Sequence, residues 1–289
     1  MATTPSQRAD TSFRPAHWLL PSLLAAGLAL PLSHAQAQAQ AAEASPGGGA
    51  SQGRDGDGGS GSRWGLGLGL ASTQSPYLGE GRKTRALPLL RFENEYLKVG
   101  GLGLELKLPG VDLGAAGHLR FGVVGRLELS GYEADDAPIL SGMAERKGGL
   151  WAGARAEWDA GPAQLSAQWT ADTGGHSKGK RFSLGLEKSW RLGARTMLVP
   201  YVNAHWLDSN YVDYYYGVRA AEQRADRPAH RGEAGMNLDL GLRTMLRLDR
   251  HHALLLDAGV TRLAKEIQAS PLVDRSRSQR LILGYMYNF

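Results

Sequence analysis

No cysteine occurs among the 289 residues. Its absence excludes a disulfide framework and every metal site built on thiolates. Long apolar runs are also missing. Mean hydropathy is −0.31, and outside the N-terminal region nothing approaches the roughly 20 continuous apolar residues of a membrane-spanning helix. A large excess of one charge sign is lacking too: 33 Lys and Arg stand against 28 Asp and Glu, a net +5. A mildly basic balance could suit nucleic acid, but export, argued next, removes that partner and leaves anionic lipid as the natural one.

What is present begins with "HWLLPSLLAAGLALPLSHAQAQAQAA", preceded by Arg8 and Arg14. A short apolar core spans residues 18–32, and Ala35-Gln36-Ala37 and Ala37-Gln38-Ala39 are both A-x-A cleavage sites. This is the pattern of a secretory signal peptide with a long n-region, so residues 1–37 are expected to be removed. The alternative, a membrane anchor, is disfavoured by the short core and the small-residue site behind it. No Cys stands at the cleavage point, which excludes a lipoprotein. Cleavage after Ala37 takes Arg8, Arg14 and Asp10 with it and lowers the net charge from +5 to +4. Residues 38–62 include "EASPGGGASQGRDGDGGSGS", a composition that cannot bury a core and is expected to form a disordered linker.

From Arg63 to Phe289 the texture is period-two alternation. In "HLRFGVVGRLELSG" one parity carries Leu119, Phe121, Val123, Leu127 and Leu129, the other Arg120, Gly122, Arg126, Glu128 and Ser130. "MNLDLGLRTMLRLD" sets Met236, Leu238, Leu240 and Leu242 against Asn237, Asp239, Gly241 and Arg243. "RFSLGLEKSWR" does the same with Phe182, Leu184, Leu186 and Trp190. Alternate side chains point to opposite faces of a strand, so each segment has an oily and a charged face. A soluble sandwich or barrel would bury the oily face; a membrane barrel turns it to lipid. These segments exceed the usual strand of about 5–6 residues and reach the roughly 9–11 of a tilted membrane strand. The fold expected is all-β: a transmembrane, antiparallel, up-and-down β-barrel over 63–289.

Connections agree. Short turns fall near 93–95, 159–162, 193–195 and 249–251, and longer polar loops near 73–84, 133–147, 172–180, 208–233 and 267–278. Short on one side and long on the other is the outer-membrane pattern, with the short side periplasmic. Eleven strands are clear in the sequence, and closure needs an even number. In "YLKVGGLGLEL" the apolar parity flips from Leu97 and Val99 to Leu102, Leu104 and Leu106. A turn or bulge at Gly100-Gly101 would do this, so twelve strands are expected, with ten as the alternative. The last segment, "LILGYMYNF", alternates through Tyr285, Tyr287 and Phe289. It is expected to close the barrel and to be read by the outer-membrane assembly machinery.

Three stretches together resemble one family: "SPYLGEGRKTRALPLLRFENEYLKVGGLGL" (75–104), "NYVDYYYGV" (210–218) and "SPLVDRSRSQRLILGYMYNF" (270–289). They are similar to the MltA-interacting protein (MipA/OmpV) family of outer-membrane barrels. The Gly/Asp-rich linker and Ala269, where an acidic residue is expected, depart from it. The resemblance implies an outer-membrane location and a scaffold role, in which members are associated with a lytic transglycosylase and a penicillin-binding protein; others are described as adhesins.

The charged parity offers Arg120, Arg126, Glu128, Arg155, Glu157, Glu187, Arg191, Asp239, Arg243, Arg247 and Asp257 to the lumen. It reads as a selective pore or, since both signs are interleaved, as a compensated ladder of cross-strand pairs that would exclude all but very small solutes. No cofactor or metal site is expected. His176-Ser177 with Asp172 is a weak enzymatic constellation that suits a solvated loop better, and His251-His252 lies on a short turn without metal-ligand spacing. The strongest local candidate for partner binding is Tyr211, Tyr214, Tyr215 and Tyr216 in the longest loop; the bland readings are an aromatic girdle or a loop folded into the barrel mouth. Arg219, Arg224, Arg227 and Arg231 follow as candidates for lipopolysaccharide phosphates. The function expected is a non-enzymatic envelope scaffold, with a channel for small polar solutes or an adhesin as the alternative.

Overall fold

A computed structural model describes residue 1 and residues 62–289. All but the first residue of the expected signal peptide and all but the last of the expected linker lie outside the described residues. Residues 63–289 form a closed antiparallel barrel. Its strands are β1 (Arg63–Gln74), β2 (Arg82–Glu93), β3 (Leu97–Gly100), β4 (Gly103–Asp112), β5 (His118–Glu128), β6 (Gly149–Asp159), β7 (Gln164–Asp172), β8 (Lys180–Glu187), β9 (Trp190–Leu192), β10 (Thr196–Leu207), β11 (Gly235–Arg247), β12 (His252–Arg262) and β13 (Arg277–Asn288). Each pairs with its sequence neighbour, and β13 returns to β1 from Gly65↔Asn288 to Thr73↔Arg280, which closes the wall.

The wall has twelve strands, because β8 and β9 are two pieces of one. Both pair with β10 in a single continuous register, Glu187↔Tyr201 and Trp190↔Leu198. The ladder breaks between them at Pro200, which accepts from Lys188 N–H (3.2 Å) but has no N–H to return.

The twelfth strand comes from the parity flip. Chain reversal occurs at Gly101, whose φ of 55° lies in the left-handed region. The hairpin is short on the β3 side. Only Arg91–Glu93 of β2 pair with β3, and Gly101 N–H donates to the Leu90 carbonyl (3.1 Å). Backbone groups alternate in direction along an antiparallel strand, so Thr84, Ala86 and Pro88 aim theirs to that same side, where no strand stands among the described residues. Proline fits a position that has no acceptor for an N–H.

Side-chain direction decides between sandwich and membrane barrel. Leu66, Leu68, Leu70, Leu184, Leu240 and Leu283 all point outward, Leu68 with 71% of its surface exposed. The opposite parity, with Glu128, Asp239, Arg243, Asp257 and Arg280, is buried inside. Only lipid makes that arrangement favourable. The turns at 94–96, 113–117, 160–163, 193–195 and 248–251 lie at one rim with both barrel ends, and the long connections lie at the other, which is the outer rim by the same pattern; the two-residue β3–β4 turn is the short connection on that outer side.

Candidate functional site

Four outer connections, 75–81, 129–148, 208–234 and 263–276, do not stand away from the barrel. They fold over its mouth and pack into one apolar core of Tyr77, Tyr132, Leu140, Trp151, Leu207, Val212, Ile267 and Leu272 with the tyrosines of the longest loop. That loop opens with α1 (Ser209–Tyr216), capped by Asp208, which accepts from Tyr211 N–H (2.9 Å). Tyr211 and Tyr215, four residues apart, share its inner face, with ring centroids 4.8 Å apart. Tyr77 meets Tyr132 at 5.1 Å and Tyr216 at 5.7 Å, and Tyr211 meets Trp151 at 5.8 Å.

Polar groups stitch the plug across loops. The Tyr77 hydroxyl donates to the Tyr215 carbonyl (3.1 Å), Ser130 donates to the Tyr215 hydroxyl (3.1 Å), and Ser270 donates to the Tyr216 carbonyl (2.6 Å). The three stretches that carry the family resemblance thus meet at the mouth through Tyr77, Tyr215 and Tyr216, and Ser270 with Leu272.

The firmest joint is Arg146 with Glu222. The guanidinium, 1% exposed, donates to both carboxylate oxygens at 3.0 and 2.8 Å and to the Tyr214 carbonyl at 2.8 Å. It lies 5.7 Å from the ring centroids of Tyr132 and of Tyr214. Burial alone would push the Glu222 carboxyl up. The Arg146 bonds, with N–H groups of Arg219 and Ala144, outweigh it and hold Glu222 below the usual glutamate range. Burial pushes the Tyr77, Tyr132 and Tyr215 phenols well up, so they stay neutral.

The tyrosines read as a partner-binding loop are therefore placed inside: Tyr211, Tyr215 and Tyr216 are buried, and only Tyr214 is partly open. The folded-in mouth is the reading that their position fits. Of the arginines, Arg227 is 1% exposed and gives its donors to carbonyls of Ser141 (3.0 Å), Ile139 and Glu222. Arg224 donates to the Ser141 and Pro138 carbonyls and pairs with Asp226 (3.1 Å). Arg219 and Arg231 are exposed. Their loop core was hidden from sequence reasoning because Tyr, Arg and Glu in a loop look like solvated residues.

Below the plug the lumen is ionic. Arg181 donates to both oxygens of Glu128 (2.8 and 3.1 Å). Asp257 meets Arg243 (3.2 Å), Arg280 (3.5 Å) and the Tyr201 hydroxyl (3.1 Å), and Arg280 reaches Asp239 (3.4 Å). Tyr201 fits only because Gly241 faces it: a Cβ there would lie 2.2 Å from its hydroxyl. Arg120 and Arg155 both pair with Glu157, and Lys107 with Glu93 at 2.8 Å. This is the interleaved ladder. A cavity remains within it, lined by Lys98, Glu105, Arg126, Glu128, Arg155 and Gln168 among others.

Asp172 accepts from the backbone N–H and hydroxyl of Ser177 (2.6 and 2.8 Å), closing its own turn rather than orienting His176. At the inner rim Tyr285 bonds His252, Tyr287 stacks on His251 (5.6 Å), and Phe289 packs edge-on against Tyr287 (5.0 Å). No group of three or more metal-ligating side chains is assembled among the described residues.

Comparison with known proteins gives a match of residues 66–289 to the family described as MltA-interacting protein MipA. The chain is 26% identical over 228 residues to the putative outer membrane protein YiaT of Escherichia coli K12, spanning 76% of this chain and 88% of that one. It is 26% identical to the outer membrane protein OmpV of Vibrio cholerae over 55% of this chain and 61% of that one. Among solved structures, an outer membrane channel of Pseudomonas putida F1 aligns at 15% identity and a TM-score of 0.42, over 82% of this chain and 98% of that one.

Proposed function

Since the chain belongs to the MltA-interacting protein MipA family and is an outer-membrane β-barrel, we propose that it is a non-enzymatic channel for small polar solutes, closed at its outer mouth by the loop plug. One observation carries this reading: the lumen face is polar and holds a water-accessible cavity, while the obstruction above it is built mainly from connections and not from the wall. Loops open and close at far lower cost than a barrel wall. Planar-bilayer recordings test it. The expected result is rare openings for the native protein and steady open steps once Arg146→Ala loosens the plug. Silence from both overturns the reading.

A second reading is a scaffold that joins a murein-degrading lytic transglycosylase to a penicillin-binding protein. It is favoured by the sealed mouth, which suits a barrel that transports nothing, and by the family's description. Co-purification of a murein enzyme with the native barrel from envelope extracts, absent with an unrelated barrel, would support it. Arg219 and Arg231, exposed on the longest loop, are proposed contacts for lipopolysaccharide phosphates.

A further inference from the structure

Most of the wall is paired on both sides, as at Ser166, which stands between Glu157 of β6 and Gly185 of β8. The outer half of β2 is not. Its pairing with β1 runs from Arg82 to Glu93, but its pairing with β3 covers only Arg91–Glu93. The N–H groups of Thr84 and Ala86 and the carbonyls of Thr84, Ala86 and Pro88 therefore lie on an open edge. Across the opening stands the tip of the β3–β4 hairpin, where Leu127 N–H of β5 donates to the Leu102 carbonyl (2.9 Å). Connection 129–148 bridges its upper end, since Asp136 pairs with Lys83 of β2 at 3.0 Å. Ala86 and Pro88 pair with Leu70 and Leu68 of β1, whose side chains face lipid. The opening thus lies at hydrocarbon depth in the outer leaflet. Backbone polar groups are not tolerated against hydrocarbon alone, so this edge borders the lumen as well as lipid.

The lumen side of the same stretch is unlike the ionic ladder. Leu87 and Leu89 point inward from the edge strand. Leu87 packs on the buried Ala71 and Ile282. Leu89 lies over Gly284, where a Cβ would come within 2.7 Å of its methyl. Two residues nearer the mouth, Arg85 also points inward. Its Nη1 is buried and has no hydrogen-bond partner among the described residues. Asp136 and Glu80 already act on its charge, so the unmet need is for an oxygen acceptor and not for a counter-ion.

A polar donor above, an apolar strip below and an opening to the leaflet beside both suit one kind of molecule. We propose that this opening is a lateral port for a single-chain amphiphile from the outer leaflet, its head oxygen accepting from Arg85 and its acyl chain lying over Leu87 and Leu89. The port goes beyond the axial channel and does not depend on whether the mouth opens. A strand of another protein is the other occupant that an open edge could take. Pro88 offers such a strand no N–H, and the Lys83–Asp136 link lies across its upper end.

The chain has no cysteine, so a fluorophore can be placed on a single introduced one. Leu87→Cys puts it in the port, Ser166→Cys behind a fully paired wall and Leu184→Cys on the lipid face. The barrels are refolded into phosphatidylcholine vesicles, with the heat-modifiable gel shift as the check on folding, and titrated with dibromostearic acid, whose bromines quench at short range. The expected result is saturable quenching at Leu87→Cys, non-saturating quenching at Leu184→Cys and only background at Ser166→Cys. Adding Arg85→Gln should raise the half-saturating fraction at Leu87→Cys about ten-fold, the size of one charge-assisted hydrogen bond. Adding Gly100→Trp, at the hairpin tip where a Cβ meets nothing within 4 Å, should fill the port from the lumen side and abolish the saturable phase. Quenching at Leu87→Cys no greater than at Ser166→Cys overturns the proposal, and is the result that an edge covered by a partner strand would give. Saturable quenching that survives both Arg85→Gln and Gly100→Trp in folded protein overturns it too. So does quenching by a brominated phosphatidylcholine and not by the fatty acid, which would assign the port to a two-chain lipid.

Discussion

The outer mouth and the lumen are filled with the same residue types, arginine, carboxylate and tyrosine, but the joints differ in what they connect. At the mouth Arg146 binds Glu222, 76 positions along the chain, and Tyr77 binds Tyr215, 138 positions along. These side-chain contacts frame the plug together with a short backbone bridge between two of its connections, where Leu78 N–H donates to the Leu272 carbonyl (2.8 Å) and Asp274 N–H to the Pro76 carbonyl (3.3 Å). In the lumen Arg243 and Asp257 sit on β11 and β12, already paired directly at Arg243↔Asp257. There the backbone sets the geometry and the ion pair only fills it. Losing a joint should therefore release a whole element at the mouth and change only local charge in the lumen.

The largest effect is expected from Glu222→Ala. It strands Arg146 as an uncompensated buried charge, a loss of about 3–5 kcal/mol to the plug. Loops 129–148 and 208–234 should become protease-sensitive while the barrel keeps its heat-modifiable shift; equal resistance to protease would mean that the pair does not hold the mouth.

Acid should do the same to the native protein more gently. Glu222 has its carboxyl lowered in the folded state. Its stabilising contribution is full above the ordinary glutamate range and is lost as pH falls through the lowered value. Protease sensitivity of the two loops should rise below the ordinary range. In Glu222→Gln that acid-dependent step should be missing, and its persistence there would assign it to another group.

In the lumen, Asp257→Asn keeps the shape but leaves Arg243 and Arg280 without their shared carboxylate. A cost of about 1–3 kcal/mol is expected, read as a lower urea midpoint of refolding, with loop proteolysis unchanged. Altered proteolysis would show that the two regions are coupled after all.

The smallest effect on stability is expected at the inner rim. Burial of a phenylalanine is worth roughly 1.5–3 kcal/mol, and Phe289 lies at the edge of the wall with one ring neighbour, Tyr287. Phe289→Ala should refold in detergent. If Tyr285, Tyr287 and Phe289 form the proposed assembly signal, membrane yield in cells should nonetheless fall, with periplasmic accumulation; normal yield would leave packing as the whole account of this residue.

The wall was legible in the sequence because lipid outside and polar lumen inside impose the same alternation on every strand. Leu119 to Leu129 and Met236 to Leu248 face as their parity requires, and the flip at Gly100-Gly101 marks a real turn. The shortness of β3 was not legible, since Leu102, Leu104 and Leu106 continue an oily pattern through the hairpin. The plug was not legible either. Tyr132, Arg146 and Glu222 belong to polar loops in sequence, and only contacts between distant loops bury them. Likewise Trp151 reads as one more interface aromatic, yet it points inward beneath Arg181, with the guanidinium carbon 4.9 Å from its ring centroid.

Amide hydrogen exchange on the native barrel and Glu222→Ala, compared residue by residue, tests the separation of mouth from lumen most directly. The prediction is faster exchange at Val212, Val218, His230 and Arg146, whose amides hold the plug, with Val202 to Trp206 of β10 as protected as before. Equal acceleration in β10 would contradict it, because the plug would then be part of what holds the wall.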